Sequence, residues 1–170
     1  MRVHIATDHA GLELSHHLMA ELTGRGYEMI DHGPVEYDAA DDYPAFCISA
    51  AMGVREDRAN GLDSLGIVLG GSGNGEQMAA NAVQGIRAAL VWNQDTAKLA
   101  REHNDAQVMA IGGRQHEADE ALELALTFLA EPFSGDERHV RRIAQLSEFE
   151  RTGDIAGKLS AVTPRPFSGD

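Results

Sequence analysis

Cysteine is nearly absent from this 170-residue chain, and no long hydrophobic run occurs in it. The single cysteine, Cys47, excludes an intrachain disulfide and any metal site built from thiolates. Its apolar surroundings, PAFCISAA, favour a buried side chain. No apolar run approaches the roughly 20 residues that a membrane-spanning helix needs, and the run at the N-terminus is too short for a secretory signal. We therefore expect a soluble cytoplasmic protein without a metal.

Positive charge is also scarce, because 14 lysines and arginines face 27 acidic residues and give a net charge of −13. This balance argues against nucleic acid and acidic membranes as partners. An anionic small substrate stays possible, since the Debye length is only about 8 Å at physiological salt and local charges decide inside a pocket. Arg138 and Arg142 lie four residues apart and would share one helix face, where they could hold a phosphate. A solvated helix face is the alternative for this basic run.

Apolar runs alternate with segments of helical period along most of the chain. The pattern predicts strands over residues 2–7, 27–31, 64–69, 86–92 and 107–111. It predicts helices over residues 10–25, from 44 onward, after 75, and over 94–103, 117–130 and 135–151. Strands separated by helices of this length indicate βαβ units and a five-stranded parallel sheet. We expect a single domain over residues 1–152 and a disordered tail without a catalytic role over 153–170.

The third predicted strand runs into four glycines within residues 70–75, followed at once by a helix. Such a turn directs backbone N–H groups and the positive end of the helix dipole at one spot, which suits an oxyanion. The spacing fails the dinucleotide fingerprint, and Glu76 stands where a phosphate-binding loop of the Walker A type needs lysine. An acid at this position favours proton chemistry on an anionic intermediate. Ser72 is either a proton donor or only a turn residue.

Other polar residues follow the predicted strands, where ligands bind in parallel sheets. Asp8 and His9 follow the first strand, and Arg114 follows the fifth. His103 and Asn104 end the helix after the fourth strand, and we place them at the same edge. Asp8-His9 and His103-Asn104 each also have a structural alternative as a helix cap. The remaining histidines have no spacing partner for a metal: His4, His16, His17, His32 and His116.

Taken together, these residues resemble the type B ribose-5-phosphate isomerases, within the family that includes galactose-6-phosphate isomerase subunits. The resemblance covers about residues 1–150. It is carried by Asp8-His9-Ala10-Gly11, Asp42-Tyr43-Pro44, the run from Gly70 to Glu76, Ala79-Ala80-Asn81, Arg101-Glu102-His103-Asn104, and Arg138-His139-x-x-Arg142. It implies a three-layer α/β/α Rossmann-like sandwich with an extra C-terminal helix. It also implies a homodimer or dimer of dimers, with site residues shared between subunits and no metal or cofactor.

The resemblance implies interconversion of ribose 5-phosphate and ribulose 5-phosphate, a reaction of the pentose phosphate pathway. Many family members carry a cysteine base at the position of Gly70, which cannot abstract a proton. This sequence resembles the subgroup whose base is the glutamate at the end of the turn, here Glu76. His103, aided by Asp8, would open the sugar ring, and Ser72 would help to stabilise a cis-enediolate. Substrate binding is assigned to His9, Tyr43, Gly71, Gly73, Asn74, Gly75, Asn104, Arg114, Arg138 and Arg142.

Three alternatives stay open at this point. The first is an isomerase of six-carbon aldose phosphates such as allose 6-phosphate, because the sequence does not reveal the depth of the pocket. The second, from a different class, is a non-catalytic phosphosugar-binding protein, which would need the glycine turn and the arginines but neither Glu76 nor His103. The third is a structural subunit that depends on a catalytic partner.

Overall fold

One parallel sheet organises the fold. In the computed structural model, which describes residues 1–166, five strands lie in the order β2-β1-β3-β5-β4. They are β1 (Arg2–Ala6), β2 (Glu28–Asp31), β3 (Ser64–Gly70), β4 (Ala88–Leu90) and β5 (Val108–Gly112). All four neighbouring pairs are parallel. The predicted sheet is confirmed; β4 is shorter than predicted because it is an edge strand that pairs only with β5.

The helices also follow the sequence pattern. Within residues 1–166 they are α1 (Leu12–Gly24), α2 (Tyr43–Ala59), α3 (Asn74–Asn81), α4 (Gln94–Asn104), α5 (Ala118–Ala130) and α6 (Glu137–Thr152). A short 3-10 helix, His9–Gly11, precedes α1. Pro44 stands in the first turn of α2, where a missing N–H group costs little. The predicted helix bounds therefore agree with the structure to within about two residues.

The helices cover both faces of the sheet. Leu65, Ile67 and Leu69 of β3 share one buried cluster with side chains of α1, α4 and α5. Val68, between them on the same strand, lies in a second cluster with side chains of α2 and α3. Successive strand residues point to opposite faces, so this alternation places helices on each side. The predicted α/β/α sandwich is confirmed, and Cys47 is fully buried in the second cluster, as expected.

The chain divides into two compact units, Met1–Ser134 and a second unit that begins at Gly135. The second unit contains α6, which ends at Gly153 in the left-handed conformation, with φ 76°. Residues 153–161 form bends and turns, with backbone hydrogen bonds such as the one from Lys158 N–H to the Ile155 carbonyl. The expected domain bounds and the disorder of the tail stay predictions, and residues 167–170 lie outside the described residues. No helix within residues 1–166 is both long enough and apolar enough to cross a bilayer.

A chain of hydrogen bonds links two histidines under α2. His4 Nε2 lies 2.9 Å from Asp57 Oδ2, and His4 Nδ1 lies 2.8 Å from His32 Nε2. The far nitrogen of His32, Nδ1, lies 2.8 Å from Ser49 Oγ. Gly53 leaves the room for this pair, because a Cβ there would lie 2.5 Å from His4 Nδ1. Burial, followed by the charge of His4, lowers the pKa of His32 below its ordinary value.

This shift predicts a loss of stability in mild acid. The folded state resists protonation of His32 while the unfolded chain accepts the proton near its ordinary pKa of 6.5, so the stabilisation present above that pH is lost as the pH falls. We expect the free energy of unfolding to decrease between about pH 7.5 and 5.5 in urea titrations, and His32→Gln to flatten this decrease. His16→Gln, at an exposed position of α1, is the control and should keep the wild-type slope. An unchanged slope in His32→Gln would refute the assignment.

Candidate active site

A cleft lies where the carboxyl ends of β1 and β3 meet. Its volume is about 520 Å³, and its lining residues are Asp8, Tyr43, Gly71, Ser72, Gly75, Glu76, Arg114 and Gln115. Seven of these eight, all except Gln115, were predicted as site residues, and they come from four different segments of the chain. Tyr43 begins α2 and Arg114 follows β5, so the strand order brings them beside the glycine turn. The position agrees with the rule that ligands bind beyond the carboxyl ends of parallel strands.

Glu76 is the buried acid of this cleft. It lies in the first turn of α3 and is only 4% exposed. Burial is the largest influence on its pKa and raises it. Hydrogen bonds from the backbone N–H groups of Glu76 and Gly73 act in the opposite direction, and the charge of Asp8 adds to the rise. The net pKa is raised above the ordinary value of 4.5, which makes Glu76 a stronger base than an exposed carboxylate.

Gly70 provides the space that the Glu76 carboxylate occupies. A Cβ atom at Gly70 would overlap Oε1 and Cδ of Glu76. The side chain at position 70 and the Glu76 carboxylate therefore exclude one another from this spot. A glycine at position 70 is thus a geometric requirement for the present position of Glu76.

This geometry predicts a large effect of one methyl group. Gly70→Ala should push the carboxylate away and lower kcat by about 100-fold, since displacement of a reacting group by about 1 Å costs that much. Gly71→Ala is the matched control, because its Cβ would meet Arg114 at 3.5 Å, an ordinary contact. Steady-state kinetics of the two variants should differ by at least about tenfold in kcat. Equal losses would show that the space at Gly70 is not what positions Glu76.

The glycine turn presents hydrogen-bond donors on two sides. Gly73 adopts the left-handed conformation, with φ 80°, and its N–H group is directed at Glu76. Ser72 is exposed at the cleft and accepts from the side-chain amide of Asn74 at 3.2 Å. A Cβ at Gly75 would lie 2.5 Å from the Tyr43 ring, so this glycine lets the phenol pack against the turn. Since Glu76 engages the Gly73 N–H and Ser72 Oγ accepts the Asn74 N–H at 3.4 Å, the other turn N–H groups are the candidates to meet an oxyanion.

Asp8 caps a helix and lines the cleft, and the neighbouring His9 contacts a further acid. Asp8 is buried, and its Oδ1 accepts from Ala10 N–H at 2.9 Å, which caps the 3-10 helix. It also lines the cleft beside Glu76. His9 contacts Asp41, a residue that sequence reasoning missed although it adjoins Asp42-Tyr43-Pro44. One ligand atom each of Asp8, His9 and Asp41 lies within 4.8 Å of the others, so these side chains could also approach a cation.

His103 and Asn104 do not lie at this edge, and the expectation that they share it was wrong. The helix α4 leaves the carboxyl end of β4 and runs back toward the amino end of β5. Its last residues consequently lie at the opposite edge of the sheet. Arg87, directly before β4, donates from Nε to the Asn104 carbonyl at 2.8 Å. Within one chain, His103 is therefore on the far side of the sheet from Glu76.

The segment after His103 is tightly held. Asp105 has a left-handed backbone, with φ 41°, and ends α4. Arg101 Nη1 donates to Asp105 Oδ1 at 2.7 Å, and Arg87 Nη2 donates to Asp105 Oδ2 at 3.2 Å. Two guanidinium groups thus fix the helix end that carries His103 and Asn104.

The two predicted phosphate ligands belong to the second unit. Arg138 and Arg142 are exposed on α6, one helical turn apart, as the spacing predicted. They share the helix with a buried histidine, His139. Their part in substrate binding stays a prediction.

Cys47 is not a candidate base. Burial, together with the charges of Glu76 and Asp8, raises the pKa of its thiol to about 12. The thiol therefore stays protonated at neutral pH and behaves as a small apolar group. Among the groups lining the cleft, Glu76 is the one whose pKa is shifted toward the range of a working base.

Comparison with known proteins places this geometry in context. The family model described as Ribose/Galactose Isomerase matches residues 3–146. Ribose-5-phosphate isomerase B of Mycolicibacterium paratuberculosis is 55% identical over 152 residues, which cover 89% of this chain and 93% of that protein. The structure of ribose-5-phosphate isomerase B from Clostridium thermocellum superimposes with a TM-score of 0.83 at 38% identity, over 91% of this chain and 100% of that one. The Mycoplasma genitalium enzyme with bound ribulose 5-phosphate gives a TM-score of 0.82 at 37% identity, over 89% and 97% of the chains.

Proposed function

The chain belongs to the ribose/galactose isomerase family, and on this premise we propose that it interconverts ribose 5-phosphate and ribulose 5-phosphate with Glu76 as the base. The observation that carries the assignment of the base is the buried Glu76 carboxylate, held over Gly70 in the cleft, with a raised pKa. A base of this kind takes the proton from C2 of the open-chain aldose and returns it to C1. The intermediate between the two transfers is a cis-enediolate.

The turn stabilises the negative oxygen of that intermediate. Ser72, Gly71 and Gly75 of the turn line the cleft beside the base. Directed donors of this type each contribute about 2.7–4 kcal/mol to a transition state. The dipole of α3 contributes about 0.3–1 kcal/mol, so the hydrogen bonds dominate. The eight residues of α3 give only a short helix, which is consistent with that ranking.

Ring opening requires a second group, and we assign it to His103 of a partner subunit. His103 lies at the far edge of its own sheet, on a helix end fixed by Arg87 and Arg101. A side chain fixed there can serve the cleft of a second copy but not the cleft of its own chain. We therefore propose a homodimer in which each cleft combines Glu76 and Asp8 of one chain with His103 and Asn104 of the other. In such a dimer a two-fold axis relates the two clefts, and each chain contributes residues to both of them.

Binding of the substrate's phosphate group positions the sugar relative to the base. Arg114 lines the cleft, and its guanidinium lies beside Gly71. We assign the phosphate to Arg114, His9, Arg138 and Arg142, because guanidinium groups hold phosphate through paired hydrogen bonds. Binding a non-reacting group in this way places C2 over the base and lowers the entropic barrier. A cytoplasmic location without nucleic-acid or membrane partners stays part of the proposal.

The charge of Asp8 gives the proposal a pH signature. Activity that needs an ionised Glu76 is lost as the pH falls through its pKa, and that pKa is raised by burial and by Asp8. Asp8→Asn should therefore move the acid limb of the kcat/KM profile to lower pH, in addition to lowering the rate. Profiles of both proteins from about pH 4 to 8 would measure this. An acid limb that stays in place or moves upward would contradict the pairing of the two acids.

The direct test of the function is a substrate comparison. We expect the purified chain to convert ribose 5-phosphate to ribulose 5-phosphate with a kcat/KM at least about tenfold above that for allose 6-phosphate. A preference for the six-carbon substrate would make it a hexose phosphate isomerase. Tight binding of ribose 5-phosphate in calorimetry without turnover would identify a non-catalytic binding protein instead.

A further inference from the structure

Asp41 makes two contacts with His9 through a single oxygen. Asp41 Oδ1 accepts the backbone N–H of His9 at 3.0 Å and lies 2.7 Å from His9 Nδ1. The two residues are 32 positions apart, so the contact joins the loop after β2 to the end of β1. An interaction that fixes both the backbone and the ring of one residue determines where that ring points.

These contacts determine the tautomer of the His9 ring. A carboxylate oxygen only accepts hydrogen bonds, so the proton between the two groups belongs to His9 Nδ1. The other ring nitrogen, Nε2, is then the atom that remains to meet a ligand. When Nε2 also carries a proton and donates it to an anion, the ring is an imidazolium whose charge Asp41 balances.

Because Asp41 is buried, its carboxylate depends on His9 for hydrogen bonds. The Asp41 side chain is 9% exposed, and its second oxygen, Oδ2, is buried without a hydrogen-bond partner in the part of the chain that the structure describes. A buried carboxylate with few donors is costly. The backbone N–H and the ring Nδ1–H of His9 are therefore major contacts that stabilise the charge of Asp41 in the fold.

Hydrogen bonds within the loop and one aromatic contact hold Asp41 in place. Asp38 Oδ1 accepts from Ala40 N–H at 2.9 Å, and the Asp38 carbonyl accepts from Asp41 N–H at 3.1 Å. The ring of Tyr37 stands edge-on to His9, with centroids 6.0 Å apart. A turn and an aromatic neighbour thus hold Asp41 and His9 in one arrangement.

We propose that Asp41 is a positioning residue for phosphate recognition, which acts by holding His9 with Nε2 directed at the phosphate of the substrate. This inference rests on the proposed function, which assigns His9 to the phosphate. The cleft contains two acids, Asp8 and Glu76, so a phosphate dianion needs fixed cations nearby. Asp41 does not contact the substrate itself. It contributes to phosphate binding by fixing the neighbouring His9.

The test uses inorganic phosphate as the probe, because its binding does not depend on turnover. Asp41→Asn should raise the dissociation constant of phosphate in calorimetry, and the KM for ribose 5-phosphate, by about tenfold, with less than about threefold loss of kcat. Asp42→Asn is the matched control, since Asp42 is exposed and its side chain makes no capping bond to α2. It should change phosphate binding by less than about twofold. Equal binding of phosphate by wild type and Asp41→Asn would overturn the proposal.

A double-mutant cycle separates positioning from a structural role. In a His9→Asn background, Asp41→Asn should add less than about twofold to the phosphate dissociation constant, because the residue through which it acts is gone. Nitrogen-15 spectra should show His9 protonated at Nδ1 in the wild type and a changed tautomer in Asp41→Asn. A full tenfold effect without His9 would overturn the proposal.

Two further experiments distinguish the positioning role of Asp41 from a cation site and from a failure of the proposed function. Treatment with EDTA should leave KM unchanged; a rise in KM that Zn²⁺ reverses would mean that Asp8, His9 and Asp41 hold a cation, and would refute the positioning role. A chain that binds phosphate in the expected pattern but does not turn over ribose 5-phosphate would refute the proposed function and support the role of Asp41.

Discussion

Glu76→Gln should abolish turnover of ribose 5-phosphate while leaving its binding intact. The amide has the shape of the carboxylate but cannot take the proton from C2, and loss of a general base costs about 10²–10⁴ in rate. The phosphate ligands are unchanged, so the dissociation constant measured by calorimetry should stay within about threefold of the wild type. Stopped-assay measurement of kcat beside that titration would test both parts.

The same variant should fold at least as well as the wild type. The folded-state pKa of Glu76 is raised above its ordinary value, so the ionised carboxylate costs stability at neutral pH and the neutral amide removes that cost. A melting temperature equal to or above that of the wild type is expected. Asp95→Asn is the control, because Asp95 is an acid in the first turn of α4, away from the cleft. Glu76→Gln that retains activity within about tenfold of the wild type would contradict its role as the base.

Mixing two inactive variants should restore activity if the clefts are shared between subunits. Glu76→Gln and His103→Asn would each be impaired as homodimers, by about 10²–10⁴ in kcat. In a mixed dimer, one cleft receives both substitutions and the other receives intact Glu76 and intact His103. Random exchange at equal amounts makes half of the dimers mixed, so about a quarter of the wild-type activity should return.

The experiment requires co-expression of two differently tagged chains and an assay before and after exchange. Sedimentation should give a dimer or a dimer of dimers for each variant. Activity that stays at the sum of the separate variants would mean that one chain forms a complete cleft by itself, and the assignment of His103 to a partner would be wrong. Glu76→Gln mixed with Gly70→Ala is the control, because both changes affect the same half of the cleft and should not complement.

The sheet and most of the cleft follow from local sequence signals. Strands with β-branched and apolar residues alternate with helices of ordinary length, and a parallel sheet is the arrangement that such a pattern permits. The rule that ligands meet the carboxyl ends of strands then brings Asp8, the turn before Glu76 and Arg114 together without any knowledge of coordinates. These residues follow strands directly, so their edge of the sheet is fixed by the direction of the chain.

His103 shows where that reasoning fails. It ends a helix instead of a strand, and a helix that connects parallel strands runs antiparallel to them, so its end lies at the opposite edge. The relation between Gly70 and Glu76 was also hidden, because the sequence separation of six residues does not reveal that one side chain fills the space left by the other. Asp41 was missed since its contact with His9 depends on the path of a loop.

The most direct test of the account follows hydrogen at C1 and C2 of the sugar. Ribose 5-phosphate incubated with the wild-type protein in D₂O should give ribulose 5-phosphate that carries deuterium at C1, because a proton held on Glu76 can exchange with solvent before it is returned. Glu76→Gln should show neither deuterium incorporation nor product on the same timescale. Deuterium incorporation and product formation by Glu76→Gln at the wild-type rate would contradict an enediolate formed by Glu76.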